Sequence, residues 1–219
     1  MFSMDEFVTY ADADYVKDHV VAAIINTKRN ESLLENVPHT DMEDLSIIYK
    51  VLIKKESDGV MTITIRNEHM LMWNITLEEL HESAMKNMAE QMPVTVQTMN
   101  EVMREMMSDL PSEMLEAAFP EDAPENMMYV ISNESRVNGA INGFSKDVLS
   151  ELAEKVGSDL FILPSSIHEV IAISVKDKDP KDMTAMVQEV NAGQVAPEEQ
   201  LSDHVYVFDA VTKEIRMAS

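Results

Sequence analysis

Cysteine is absent from the 219 residues. That excludes disulfides, thiolate metal sites and cysteine nucleophiles, and it suits a reducing compartment. Glycine is scarce, with five in the chain, and neither a P-loop nor a dinucleotide-binding glycine triplet occurs. No apolar run approaches the roughly 18 residues of a membrane-spanning helix. The opening MFSMDEFVTYADADY is acidic where a secretory leader would be basic and then apolar. The expectation is a cytoplasmic protein without a membrane anchor. Positive charge is also short: 17 Lys plus Arg stand against 40 Asp plus Glu, a formal net charge of −23. Such a chain repels phosphate backbones, which argues against direct nucleic-acid binding. The charge suits solubility, or an acidic surface that imitates DNA in the manner of inhibitors carried by mobile elements.

Methionine is plentiful, with 19 in the chain. Met99, Val102, Met103, Met106 and Leu110 repeat at three and four residues, the pattern of a helix that turns one face to a core. A methionine face also adapts to varied partners. The stretch 13–37 reads as a helix ended by Pro38, with Val16, Val20, Ala23, Ile24 and Thr27 on one stripe. Leu45 to Ile53 and Val60 to Ile65 read as strands joined at Ser57-Asp58-Gly59. Thr76 and Glu79 form a capping box that opens a helix to about Gln91. A strand from Pro93 to Gln97 precedes the methionine-rich helix.

Ser108 to Asn126 holds three prolines and six acidic residues, and reads as a linker or long surface loop. Beyond it come a strand over 127–132, a helix from Ser145 to Val156 closed by Gly157, and strands over 160–163 and 168–175. A helix opened by Asp179-Pro180 and a terminal hairpin over 205–208 and 214–217 follow. The expected fold class is α+β: mixed, mainly antiparallel sheets with helices packed on one face. The C-terminal order fits a split-βαβ, ferredoxin-like arrangement. The division expected is an N-terminal subdomain over 1–110, a linker over 111–126 and a C-terminal subdomain over 127–219.

Chemistry is most suggested by DLFILPSSIHEVIAIS, residues 159–174. Ser165, Ser166, His168 and Glu169 lie between two apolar runs, and hydrolysis by a serine needs a histidine in reach and a carboxylate that orients it. Neither serine sits in a glycine-flanked elbow, however. Strand alternation from His168 onward also turns His168 and Glu169 to opposite faces. Asp203-His204 is the other acid and histidine pair. With His168 it offers a metal-site alternative, although none of the six histidines has a recognised ligand spacing. Ser165, Ser166, His168, Glu169, Asp203 and His204 are the candidate binding surface. The loop from Ser132 to Gly143, with Asn133, Arg136, Asn138 and Gly139, is the candidate anion site, because backbone donors and an arginine gather before a helix start. Its alternative role is a set of turns needing positive φ at Asn-Gly. No cofactor or metal is expected.

Five stretches together resemble the bacterial family known as domain of unknown function 5688. They are Val37 to Leu45, Trp73 to Leu80 with Ala84 and Asn87, Met128 to Asn133 with Gly139 and Ala140, Leu163 to Val170, and Leu201 to Tyr206. A fainter similarity runs to the YtpQ-like family, domain of unknown function 1444. It rests on Trp73 to Glu79, Ala84 to Asn87, Met127 to Ile131 and Ser166 to Val170. Both resemblances imply a cytoplasmic accessory protein and assign no catalytic residue. The function expected is a non-enzymatic binding or interaction module with an unidentified protein partner. The alternatives are a small hydrolase or metal-dependent enzyme centred on Ser166 and His168, and the DNA mimic.

Overall fold

The computed structural model describes residues 12–56, 59–120 and 122–218. The acidic N-terminal stretch and the Ser57-Asp58 turn therefore lie largely or wholly outside the described residues. Two antiparallel sheets make the frame. In the first, strand β3 (Leu45–Glu56) is central. It pairs on one side with β1 (Val20–Asn26) and on the other with β2 (His39–Met42) and β4 (Gly59–Thr64). The second sheet has six strands. They are β5 (Val94–Thr98), β6 (Met128–Asn133), β7 (Leu160–Leu163), β8 (Val170–Ser174), β9 (Tyr206–Phe208) and β10 (Ile215–Met217). Their order across the sheet is β10-β9-β7-β8-β6-β5.

Helix α1 (Ala13–His19) is short, and the chain enters β1 directly where the sequence suggests one long helix. The reason is burial. Val20 to Ile24 are all buried, and a strand covered on both faces shows a continuous apolar run whose period cannot be told from a helix. The β-branched Val20, Val21, Ile24 and Ile25 settle the matter in favour of the strand. A helical turn, α2 (Glu31–Leu34), and then Pro38 lead into β2.

Helices α3 (Asn67–Trp73) and α4 (Leu77–Gln91) follow β4. The capping box that opens α4 is formed: Glu79 N–H donates to Thr76 Oγ1 at 3.2 Å and Thr76 N–H donates to Glu79 Oε2 at 2.9 Å. Leu80, Ala84 and Met88 bury its inner face against β1 and β3. Helix α5 (Met99–Met106) is capped the same way by Thr98 and Glu101 but buries no residue. Met106 is 72% exposed and Leu110 45%, so the methionine stripe does not face a core. Helix α6 (Ser112–Ala118) interrupts the acidic segment read as a loop.

Helix α7 (Lys146–Val156) ends at Gly157, whose φ of 72° is the left-handed cap expected there. Strands β6 and β7 are parallel, with β8 inserted between them, which is the split βαβ unit. The fourth strand of this unit, β9, docks beside β7 on the side away from β6. In a ferredoxin-like order it would dock beside β6.

Helix α8 (Pro180–Gln194) covers the face carrying Phe161, Leu163, Ile173, Val205 and Val207. Helix α7 covers the opposite face, with Ile131, Leu160, Ile162, Val170 and Tyr206. The single helical face read from the sequence is therefore two, because both sides of β7 to β9 are apolar. One core cluster takes Ile24, Tyr49 and Leu80 from the first half of the chain and Ile131, Leu149 and Tyr206 from the second. Strand β5, read with the N-terminal half, is the edge of the six-stranded sheet.

Candidate functional site

The two loops singled out in the sequence meet. Strand β8 begins at Val170, not at His168, so His168 and Glu169 belong to the connection from β7, and alternation does not reach them. Within that connection Ser166 N–H donates to Glu169 O at 3.1 Å. Ser166 Oγ accepts from His168 N–H at 3.0 Å, and Ser166 is only 8% exposed. The His168 ring looks the other way. Its Nδ1 accepts from Asn138 N–H at 3.2 Å, and its Nε2 lies 3.4 Å from Glu199 Oε1. The imidazole ring is thus oriented by a carboxylate but makes no hydrogen bond to either serine hydroxyl, as a serine relay would need. Pro164 is buried, and Ser165, His168 and Glu169 are only half-exposed, so the turn is packed in more than presented.

The partner loop's donors are largely taken by protein acceptors, within the loop and beside it. Asn133 Nδ2 donates to Val137 O at 2.9 Å, and its Oδ1 accepts from Ser135 Oγ at 2.8 Å. Arg136 donates to Glu105 Oε2 at 2.6 Å. Asn138, at φ 52°, and Arg136, at φ 53°, hold the left-handed positions. Gly139 serves close approach. A Cβ on it would stand 2.4 Å from Ser132 Oγ and 2.7 Å from His168 O, two atoms that are themselves hydrogen-bonded at 2.8 Å.

His204 and Asp203 do not join His168. They belong to a second junction, centred on Asp44, which the sequence reading did not single out. Asp44 lies with Glu43, at φ 56°, in the two-residue turn between β2 and β3. The hydroxyls of Tyr206 and Ser202 both donate to it, the latter at 2.8 Å, and His204 Nδ1 lies 3.1 Å from Oδ2. Burial favours the neutral acid, yet these hydrogen bonds and the His204 charge prevail and hold the Asp44 carboxyl below its ordinary value. Burial and the Asp44 bond push the Tyr206 phenol up. Asp203 pairs with Arg29 at 3.1 Å and accepts from Asn191 at 2.9 Å. Among the described residues no group of three or more His, Asp or Glu is placed to hold a metal ion.

The third feature is a groove of about 640 Å³ between α4 and the start of α7. Met85, Met88 and Ala89 of α4 form one wall, Met42 and Ile47 the second, and Ile141, Phe144 and Val148 the third. Val94 of β5 closes one end. His81 is the polar group on α4. Its Nδ1 lies 2.9 Å from the hydroxyl of the buried Tyr49, which is also 2.9 Å from Thr40 Oγ1. The methionines come from two separate segments, β2 and α4, so no single periodic stretch announced the groove.

Among the described residues no helix is long and apolar enough to cross a membrane. No curated protein and no solved structure matches the chain. Four of the five stretches that carried the resemblance meet here: Val37 to Leu45 meets Leu201 to Tyr206 at Asp44, and Met128 to Asn133 meets Leu163 to Val170 at Gly139. A family model matches residues 2–210 of this sequence, and the chain belongs to that family, the family of unknown function DUF5688.

Proposed function

We propose that the protein is an interaction module that takes an apolar segment of a partner polypeptide in the groove between α4 and α7. The observation that carries this reading is the lining. Three methionines, with Ile47, Phe144 and Val148, form an open apolar surface whose rim, Met85 and Val94, is 37% and 43% exposed. Exposed apolar patches of this kind mark surfaces that bury against another molecule. Thioether side chains adapt to the shape of what they cover. The few polar groups, His81, Asn142 and Lys146 among them, would orient a bound segment without excluding it. The cysteine-free composition suits a reducing compartment, and the cytoplasm is part of this reading.

The test is affinity capture from the host with the intact protein and with Met85→Glu, which places a charge on a half-exposed wall and leaves the core alone. Partners retained by the former and lost by the latter support the groove. An identical set from both rejects it.

A further inference from the structure

The open edge of β5 runs past two pockets. Pro93 O accepts from Glu134 N–H at 3.1 Å, so the alternate residues Thr95 and Gln97 make the ladder to β6. The N–H and C=O groups of Val94 and Val96 consequently point away from β6, and no other described strand pairs there. Edges are commonly blunted with charge. None is present here from Gln91 to Asn100.

Val94, Val96 and Thr98 share one face of the strand, opposite Asn133, Ile131 and Tyr129. Val94 opens onto the methionine groove, and Val96 and Thr98 onto a second pocket of about 290 Å³. That second pocket is polar. Arg104 donates to Phe119 O while its Nε, which is buried, has no acceptor among the described residues. The Lys155 ammonium stands 5.0 Å above the Tyr129 ring, with no carboxylate in ion-pair range among the described residues. Glu101 also lines the pocket, but its carboxylate is bound to Thr98.

We propose that the partner binds by strand addition: an extended segment pairs with Val94 and Val96, setting an apolar side chain in the methionine groove and an acidic one against Arg104 and Lys155. This rests on the groove reading above and adds to it a backbone conformation and a second anchor. Side chains two residues apart on an added strand lie on the same face, which is the spacing from Val94 to Val96.

The probes are two synthetic nine-residue threonine-rich peptides that carry leucine and glutamate two positions apart, one in each order. Two orders are needed because a strand adds parallel or antiparallel. Binding is read by fluorescence anisotropy and by amide exchange. At least one order is expected to bind, to slow exchange at the Val94 and Val96 amides, and to weaken about tenfold when its leucine becomes serine or its glutamate becomes lysine. Val96→Pro removes an edge N–H that faces solvent, a position where proline is tolerated in a strand, and circular dichroism checks its fold.

Binding lost with Met85→Glu but kept with Val96→Pro overturns strand addition and leaves the groove reading standing. Failure of both peptides to bind, or binding without protection at Val94 and Val96, also overturns strand addition. A wild-type chain that is already dimeric by light scattering, with those amides protected, assigns the edge to a second copy and overturns it as well.

Discussion

Asp44 accepts from three side chains that lie at the far end of the sequence, and a single substitution exposes what that arrangement contributes. Asp44→Asn keeps the shape but removes the charge. It is expected to lower stability by about 1–3 kcal/mol, read from thermal or urea unfolding. The pH dependence has a definite sign. The Asp44 carboxyl is held below its ordinary value in the fold, so its contribution is present above the ordinary aspartate range and is lost as pH falls through the lowered value. The acid limb of the stability curve should therefore be shallower in Asp44→Asn. Gly139→Ala is the counterpart at the other junction. Its methyl would meet Ser132 Oγ, His168 O and Asn133 N within 2.8 Å, two of them backbone atoms, and a loss of about 1–3 kcal/mol is expected. In the sequence His168 and His204 stood out as residue types, while Asp44 did not. Its importance comes from partners 158 to 162 positions away, a relation that no spacing rule carries.

Elements with a local cause were readable, and elements decided by packing were not. Helix α4 begins at Leu77 because Thr76 and Glu79 satisfy each other's backbone N–H groups. Thr76→Ala should cost about 1 kcal/mol in a thermal melt. The Glu79 carboxyl, bonded to Thr76 and to Lys17, is lowered to about 2. Helix α7 and its glycine stop and the hairpin of β9 and β10 are local in the same sense. Strand β1 is the opposite case. Its run VVAAIIN fits either period, and its β-branched residues become a strand through contact with β3 on one edge and α4 on one face. Ile24 is 1% exposed there, and Ile24→Ala should cost about 2–5 kcal/mol by denaturant titration. Helix α5 erred in the other direction: its methionines keep helical spacing without a core to face, so periodicity reported the element correctly and its environment wrongly.

Across the whole molecule, the net charge of −23 acts on the fold and on any encounter. Self-repulsion among carboxylates is screened by salt, so the melting temperature should rise as sodium chloride is added from low ionic strength to about 0.15 M. The antiparallel α+β class was legible from the alternation of strand and helix signals. The groove was not, since its walls are assembled from β2, β3, α4, β5, the helical turn at Gly139–Phe144 and the start of α7, and no stretch of sequence holds more than one wall. The turn at Asp44 has a consequence in time as well as in space. During synthesis at about 5–20 residues per second, roughly ten to thirty seconds separate the emergence of Asp44 from that of Tyr206. Until then the first sheet carries a carboxylate without its donors, and a chain stopped short of Ser202 never supplies them. The junction thereby distinguishes a finished chain from a truncated one, and protease sensitivity of stalled or shortened products is where that distinction would appear.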